Sequence, residues 1–472
     1  MKTPKYSCYK NSRRYQEKQE KKRQKSKARK KALNRDKSMR RNIVFRLYKT
    51  ITHYFPDLFE KIREIEDYRR KPNYKLAELI MTCIAMFMFK KGSRNAFNNE
   101  RSEAKFKDNF QKIFKMRLPH MDTVNELMRL LDEKWLEKLK TELIKVLIEK
   151  KVFYKYKFLG KYYRVVIDGS KVMDVKEGHC EHCLHNTYKS GKTIYFHNVL
   201  EAKLVCDNGF CISLSTEWIE NPDGDYNKQD CEQKAFGRLA EKLKRDYPRL
   251  PICIIADALY PNQTFFKICN KYRWSWIVTF KDGNLPSVWE EVLCLQKITD
   301  QNTRRCHRNT WRKGEEIYHI YTWINEIDYC GFKLNWFECV EQIGTRSRTR
   351  FVYISSLEID YHTVLEMTES GRMRWKIENE GFNIQKNHGY GLKHKYSRDY
   401  MRASKNYYQC MQIAHMINQL FELGSLFQPL LTAKKSIKHL WDFMLGELRH
   451  TTLDLQELKE LLEDTIQIRY VL

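Results

Sequence analysis

Between residues 162 and 296, short apolar runs alternate with stretches of helical periodicity, and this alternation constrains the fold most. Runs rich in β-branched and aromatic residues predict strands. They are YYRVVID (162–168), IYFHNVLEAKLVC (194–206), FCISLSTEWI (210–219), PICIIAD (251–257) and WSWIVTF (274–280). The second and third should pair as a hairpin across the Asn-Gly turn at 208–209. Helical patterns at 229–247, 263–272 and from 286 separate the later strands, which predicts a mixed α/β sheet.

The flanking regions have other patterns. Residues 297–360 lack helical periodicity, and EEIYHIYTWI, KLNWFECVEQI and RFVYISSL predict an all-β insertion. A single helix is expected over 122–150, with Thr123 and Glu126 as a capping box. The most apolar run, LAELIMTCIAMFMF at 76–89, is too short to span a bilayer and predicts a buried helix. The chain from 398 onward is helical in pattern.

Charge is concentrated at the N-terminus. Residues 1–42 hold eighteen Lys and Arg against three acids, and so supply +15 of the formal net charge of +28. Such a segment has almost nothing apolar to bury, so we expect disorder until it meets an anion. A localisation or solubility tail would look the same. We favour contact with DNA or RNA, because the remaining residues are basic as well.

Fourteen cysteines lie scattered without framework spacing, which indicates a reducing compartment rather than disulfides. The basic N-terminus lacks the apolar region of a signal peptide. We therefore expect a cytoplasmic, nucleoid-associated protein that does not enter a membrane.

Two predicted strands end on an aspartate, Asp168 and Asp257. If these strands are parallel neighbours, both carboxylates project from one edge of the sheet, where α/β folds place their sites. Close carboxylates repel, and Mg²⁺ bound through oxygen relieves that repulsion. Acids also end strands in ordinary turns. With a third acid, two such residues in a basic protein predict a two-metal site for displacement at phosphorus.

The segments VVIDGS, IIADALYPN and RWKIENEGFNIQK together resemble the three acidic motifs of the DDE transposases of bacterial insertion sequences. The resemblance covers roughly residues 70–425 and is nearest to the branch with a Tyr–Arg–Glu–Lys signature. It implies an RNase H-like core with a β-rich insertion before the third acid. It also implies cleavage at terminal inverted repeats and joining of 3′-hydroxyl ends to target DNA. Asp168 and Asp257 would be the catalytic aspartates, using two Mg²⁺ ions, for which Mn²⁺ can substitute.

Two glutamates compete for the role of third acid. The family glutamate follows the signature arginine by four residues, which identifies Glu378 and Arg374, and these are neighbours on one helix face. Glu380 lies on the opposite face and should pair with Lys376. The resemblance thus makes Asp168, Asp257 and Glu378 the catalytic and metal-binding residues. Carboxylate oxygens more than about 4 Å apart would count against a shared two-ion site.

Two positions depart from the family signature. Gly371 stands where the family has its tyrosine, so the DNA-backbone contact of that tyrosine is in doubt. The signature lysine lies seven residues after the glutamate, where this chain has Gln385, and Lys386 is eight residues away. A one-residue π-bulge near Gly381 would return Lys386 to the face of Glu378, and such bulges concentrate at functional sites.

Basic residues follow the third acid. Lys393 and Lys395, interleaved with tyrosines, suit a DNA-backbone surface, although a generic exposed loop has the same composition. Together with Arg374 and Lys386 they form the predicted DNA-binding set. The expected partner is double-stranded DNA, both element ends and target, held by a homodimer or larger assembly. A nuclease that cuts without joining, and a catalytically retired DNA-binding protein, remain alternatives.

Two smaller motifs have competing interpretations. Cys180 and Cys183 have the spacing of a Zn²⁺ site, but only two ligands are evident unless Cys206 and Cys211 fold back toward them. We favour a loop of reduced thiols and histidines over zinc.

Asp230 and Glu232 begin a predicted helix, where the helix dipole favours acids. That structural role is preferred over support of the metal site.

The predicted fold class is α/β, an RNase H-like mixed sheet with an all-β insertion between an N-terminal helical domain and a helical C-terminal region. The division along the chain is as follows: a basic tail (1–42), a helical DNA-binding domain (43–155), the first part of the catalytic core (156–296), the β-rich insertion (297–360), the second part of the core with the third acid (361–425) and a C-terminal helical region (426–472).

Overall fold

A computed structural model describes most of the chain. The described residues are 20, 42–175, 180, 182–221, 229–298, 302–312, 315–343, 347–397, 400–432, 435–463 and 466. The predicted basic tail therefore lies outside the described residues, apart from residues 20 and 42. Within the described part, the chain is a mixed α/β protein.

Helices precede the first strand. They are α1 (Ile43–Tyr54), α2 (Leu58–Arg63), α3 (Leu76–Met88), α4 (Arg94–Ser102), α5 (Ala104–Phe114), α6 (Met121–Leu130) and α7 (Glu133–Glu149). Every residue of α3 is buried, as its apolar sequence predicts. None of the helices in the described part of the chain is long and apolar enough to cross a membrane.

The single helix predicted over 122–150 is wrong, because the chain forms α6 and α7 with a break between them. The Asp132 carboxylate accepts a hydrogen bond from the Lys134 amide at 3.0 Å and caps α7. The predicted Thr123–Glu126 capping box is also wrong. His120 is the N-cap of α6, and its Nδ1 accepts from the Asp122 amide at 3.3 Å. Local caps thus divide a continuous apolar periodicity.

The remaining elements alternate between strands and helices before an all-β stretch and a helical end. The strands are β1 (Tyr163–Val175), β2 (Leu184–Thr187), β3 (Thr193–Val205), β4 (Cys211–Ile219), β5 (Ile252–Ala256), β6 (Ser275–Thr279), β7 (Thr303–Arg312), β8 (Glu315–Tyr329), β9 (Phe332–Ile343) and β10 (Ser347–Ser355). The helices are α8 (Glu232–Asp246), α9 (Gln263–Tyr272), α10 (Pro286–Gln296), α11 (Val364–Arg372), α12 (Arg374–Lys376), α13 (Ile384–Asn387), α14 (Met401–Glu422), α15 (Ile437–His450) and α16 (Leu455–Leu462).

One mixed sheet contains all ten described strands. Its order is β2-β3-β1-β5-β6-β10-β9-β8-β7, with β4 also paired to β3. Strands β1, β3 and β4 are antiparallel, whereas β5 is parallel to both β1 and β6. The predicted hairpin of β3 and β4 and the parallel strands separated by helices are confirmed. The strands after α10 extend the same sheet, because β10 pairs with β6.

Strand β1 is longer than its apolar run predicts. It continues through Asp168 to Val175, so the expectation that the strand ends at Asp168 is wrong. Its parallel pairing with β5 stops at Val166, but its antiparallel pairing with β3 continues as far as Val175. The hydrogen bonds of β3 thus keep the backbone extended beyond the last apolar residue.

The chain divides into two compact units. The described residues of one unit lie within Met1–His53, Ser102–Arg117 and Leu420–Arg469, and those of the other lie within Tyr54–Arg101 and Leu118–Gln419. In the first unit, α5 and α15 are joined by Asn109, whose amide donates to the Leu448 and Thr451 carbonyls at 2.9 and 2.8 Å. The second unit contains the sheet and every candidate site residue. The sequence-based domain boundaries, which divide the chain differently, remain predictions.

Candidate active site

The parallel pairing of β1 with β5 brings Asp168 and Asp257 to equivalent positions. Val166 pairs with Ile255, and each aspartate lies two residues further along its own strand. Residues two apart on a strand face the same side of the sheet. Asp257 directly follows the last residue of β5, where its carboxylate accepts from the Leu259 amide at 2.9 Å. The two aspartates therefore lie side by side at one edge of the parallel pair.

Asp168 has an unusual electrostatic environment. The pKa of Asp168 is raised to about 6, mainly by burial, and the charges of Asp257 and Glu378 contribute to that rise. The guanidinium of Arg374 and the Gly169 amide, which donates to Asp168 at 3.1 Å, act in the opposite direction. The structure thus brings the three predicted acids and the predicted arginine within electrostatic reach of one another.

Glu232 lies closer to the aspartates than its preferred role as a helix-start acid predicts. It is the first residue of α8, as the helix-start interpretation expects, but its carboxylate lies against Gly169. A Cβ atom at Gly169 would overlap that carboxylate. Burial raises the pKa of Glu232 to about 7, with further contributions from Asp168 and Asp257. A fourth carboxyl group therefore adjoins the two aspartates.

Two further residues lie close to Glu232: Asp230 in the sequence and Tyr260 in space. Asp230 is a structural acid, since it pairs with Arg238 at 2.5 Å and its role at the helix start agrees with the preferred interpretation. Tyr260 is buried close to the acids, and its pKa is raised by burial and then by Glu232, Asp257 and Asp168. The sequence offers Glu232 only as the less favoured alternative, because its approach to Asp168 depends on how α8 packs on β3 and β4.

Glu378 lies on a helix that changes its winding. After α11 and α12, residues Ile377–Asn383 form a π-helix, which is followed by α13. The predicted π-bulge near Gly381 is therefore confirmed. A π-turn inserts one extra residue, so the following side chains rotate relative to a regular α-helix. This rotation determines which way Gln385 and Lys386 face.

Lys386 and Gln385 take opposite roles after the π-helix. The half-buried ammonium of Lys386 lies within electrostatic reach of Glu378 and Asp168; burial, then Lys393, lowers its pKa. Gln385 is fully buried, donating to Gln412 Oε1 at 2.8 Å and lying 2.9 Å from His415 Nδ1. The lysine, not the glutamine, therefore shares the face of Glu378.

The two glutamates separate as the helical geometry predicts. Glu380 forms an ion pair with Lys376 at 3.3 Å, which confirms that pairing. Glu378 is exposed and is a neighbour of Asp168. Because these acids face different surroundings, only Glu378 is placed to act with the aspartates.

Gly371 packs closely against an aromatic ring. A Cβ atom at Gly371 would come within 2.6 Å of the ring of Tyr353, from β10. Tyr353 is buried, and burial raises the pKa of its hydroxyl. Gly371 is therefore required by close packing of α11 on the sheet.

The predicted basic residues fall into two groups. Arg374, Lys386 and Lys393 lie near the acids or near one another. Lys395 lies instead near Cys183, where its charge opposes the rise in the pKa of that thiol. The structure thus brings Arg374 and Lys386 to the acids and Lys393 to Lys386.

The donor set fits hard cations, but its spacing is wider than expected. Among the described residues, only Cys180, Cys183 and His197 form a group of three possible ligands within 4.8 Å of one another. The oxygens of Asp168, Asp257 and Glu378 are therefore more widely spread than the expected 4 Å or so. Two ions about 3.5–4 Å apart, each about 2.1 Å from its ligands, allow outer oxygens about 8 Å apart. The observed spacing therefore counts against carboxylate oxygens that are shared by two ions, whereas carboxylates that each bind one ion are compatible with it.

Cys206 and Cys211 do not fold back toward Cys180 and Cys183, so the condition for a four-cysteine site is not met. Both cysteines are buried at the far end of the β3–β4 hairpin, nine residues along β3 from His197. At about 3.3 Å per residue, this is roughly 30 Å away. His197, rather than a second cysteine pair, approaches Cys180 and Cys183.

Comparison with known proteins adds no assignment. No protein-family model matches this chain, and no curated protein matches it.

Proposed function

We propose that this protein is a DNA transposase of the DDE class. It would cut DNA at the terminal inverted repeats of its element and join the 3′-hydroxyl ends to target DNA. The proposal rests on the resemblance of the three acidic motifs. It is supported by the proximity of the acids that these motifs contain. The observation that carries it is the electrostatic cluster of Asp168, Asp257 and Glu378 with Arg374.

The sheet supports the finer assignment of an RNase H-like core. Three antiparallel strands, β4, β3 and β1, are followed by β5 and β6, which run parallel to β1 and are reached through helices. The all-β stretch lies between the second aspartate and Glu378, as the resemblance implies. This arrangement places the candidate acids where an α/β sheet presents its sites.

The proposed chemistry needs cations that the carboxylates would hold. Two Mg²⁺ ions, for which Mn²⁺ can substitute, would activate the attacking oxygen and stabilise the leaving oxygen of an in-line displacement at phosphorus. Asp168, Asp257 and Glu378 would hold them. Glu232 would hold a proton, or orient a bound water, beside Asp168.

The cations of the chain itself would hold the DNA backbone. Arg374 offers a planar fork of donors that matches phosphate geometry, and Lys386 offers a point charge. Both lie near Asp168, so a phosphate bound between them would be adjacent to the acids. Lys393 extends the same positive surface.

Recognition of the element ends would require other contacts. The basic segment at 1–42 supplies phosphate neutralisation, which sets affinity and its salt dependence. We assign base recognition to the helices before β1 and propose a homodimer or larger assembly that holds two DNA ends.

A strand-transfer assay tests this function. Purified protein is incubated with Mg²⁺, a DNA fragment carrying the sequence that flanks its gene, and a supercoiled target plasmid. We expect cleavage at the element end and covalent joining of that end to the plasmid. Glu378→Gln should abolish both products, whereas the matched Glu380→Gln variant should retain them, because Glu380 pairs with Lys376 away from the aspartates.

The outcomes separate the alternatives. Cleavage without joined product identifies a nuclease on the same core. DNA binding without any cleavage identifies a retired DNA-binding protein. Equal activity of Glu378→Gln and Glu380→Gln overturns the assignment of the third acid.

A further inference from the structure

A second group of metal-binding side chains lies apart from the acids. Cys180 and Cys183 meet His197, which lies near the start of β3 and pairs with Met173 of β1. The two sulfurs are 3.6 Å apart. His197 Nε2 lies 3.4 Å from the Cys180 sulfur and 3.3 Å from the Cys183 sulfur. Three possible ligands thus converge on one point.

These distances match the edges of a zinc tetrahedron. Zinc lies about 2.3 Å from sulfur and about 2.0–2.1 Å from nitrogen, so tetrahedral angles place two sulfurs about 3.8 Å apart and sulfur about 3.6 Å from nitrogen. The three observed separations are each shorter by about 0.3 Å or less. A disulfide would need sulfurs about 2.05 Å apart, which this arrangement does not have.

The surrounding contacts hold the three ligands in place. The Asn221 amide donates to the Cys183 carbonyl at 3.1 Å, and the Asn221 N–H donates to the His182 carbonyl at 3.2 Å. Cys183 and His197 are both buried. Ligands that are already fixed lose little conformational freedom when they bind a metal.

We propose that Cys180, Cys183 and His197 bind one structural Zn²⁺ ion per chain. Thiolate and imidazole select zinc over Mg²⁺, which prefers oxygen. These three side chains occupy three of the four positions of a tetrahedral zinc site. The ion fastens the connection between β1 and β2 to strand β3.

The site is separate from the proposed reaction. His197 pairs with Met173, five residues beyond Asp168 on β1, a distance of roughly 17 Å along a strand. The zinc site is therefore independent of the proposed transposase function. Its test needs no DNA and no activity.

Metal analysis of the full-length protein tests the site. We expect about one zinc per chain after purification without chelators. Chelation followed by Co²⁺ should give the thiolate charge-transfer band and the intense visible bands of tetrahedral cobalt. Cys180→Ser and His197→Ala should lose stoichiometric zinc, while Cys231→Ser, at an exposed cysteine outside the group, should retain it.

Other readouts keep the test decisive if a variant does not fold. His197→Cys replaces one zinc ligand by another and should retain the metal and the cobalt spectrum. The Co²⁺ titration uses the unmodified chain and is independent of any variant. Wild-type protein without zinc and without a cobalt–thiolate band overturns the proposal. A Cys180–Cys183 disulfide found by mass spectrometry of metal-free, freshly purified protein overturns it as well.

Discussion

The carboxylate of Glu232 lies directly against Gly169, the residue that follows Asp168. The absence of a side chain at Gly169 makes this approach possible. Two acids from separate elements, the start of α8 and the interior of β1, thereby adjoin one another. This relationship leads to the first prediction.

Glu232→Gln should slow DNA cleavage by about 10–100-fold, the usual effect of altering a group that supports a metal ligand. Gly169→Ala should have a similar effect, because its Cβ would displace the Glu232 carboxylate. Single-turnover cleavage rates check both variants. The control is Gln233→Glu, which places a carboxylate on the next, exposed residue of α8. Wild-type rates in Glu232→Gln would show that this acid is only a helix-start residue.

Lys386→Gln should weaken DNA binding for all sequences and reduce the slope of log affinity against log salt by about 0.9, the contribution of one phosphate contact. The reason is that Lys386 shares the face of Glu378. Lys376→Gln is the matched control, since Lys376 pairs with Glu380 on the other face. Binding titrations at several salt concentrations measure both. A larger slope change in the control would place the DNA on the opposite face.

Gly371→Ala should destabilise the protein by about 1–3 kcal/mol, the usual cost of overpacking. Its added Cβ would come within 2.6 Å of the Tyr353 ring. Gly237→Ala, in α8, meets nothing within 4 Å and should instead stabilise the chain by about 0.4–1 kcal/mol. Denaturant unfolding of the two variants gives opposite signs if this packing is correct. Equal effects would contradict it.

The raised carboxyl pKa values predict how stability depends on pH without divalent ions. Folding raises the pKa of Asp168 from 3.8 to about 6 and that of Glu232 from 4.5 to about 7. Between these limits the folded chain binds more protons than the unfolded chain, so the contribution of these groups falls as pH rises. Their contribution to the free energy of unfolding is fully present below about pH 4 and is lost above about pH 7. Thermal unfolding of wild type against Asp168→Asn/Glu232→Gln isolates this contribution.

Mg²⁺ should reverse that trend. A cation that binds the ionised carboxylates stabilises the folded state by mass action, and more strongly once their protons have left. The increase in Tm on adding Mg²⁺ should therefore be larger at pH 8 than at pH 5 and absent from Asp168→Asn. A uniform increase at both pH values would indicate non-specific ion effects.

Sequence reasoning succeeded where local periodicity carries the information. The π-helix is predicted by two facts together: the resemblance requires a lysine on the face of Glu378, and an eight-residue interval rotates Lys386 by about 80° from that face in a regular helix. The alternation of apolar runs and helical periodicity predicts the mixed sheet.

Contacts that depend on strand register or on helix packing could not be predicted from the sequence. Nothing near Cys183 in the sequence identifies His197 as its neighbour, because the register of β1, β2 and β3 brings them together. Strand β1 extends beyond its apolar run for the same reason. The proximity of Glu232 to Gly169 depends on the packing of α8. The DNA partner, the metals and the reaction remain predictions.

The π-helix also fixes the length of the polypeptide around it. Loss of one codon between Glu378 and Gln385 would move the ammonium of Lys386 into the buried position of Gln385, beside His415. Gain of one codon would move the uncharged amide of Gln385 into the position of Lys386, near Glu378. Substitutions in this segment can be conservative, but a change of length cannot. We therefore expect relatives that share this π-helix to vary in residue type here while keeping the same number of residues.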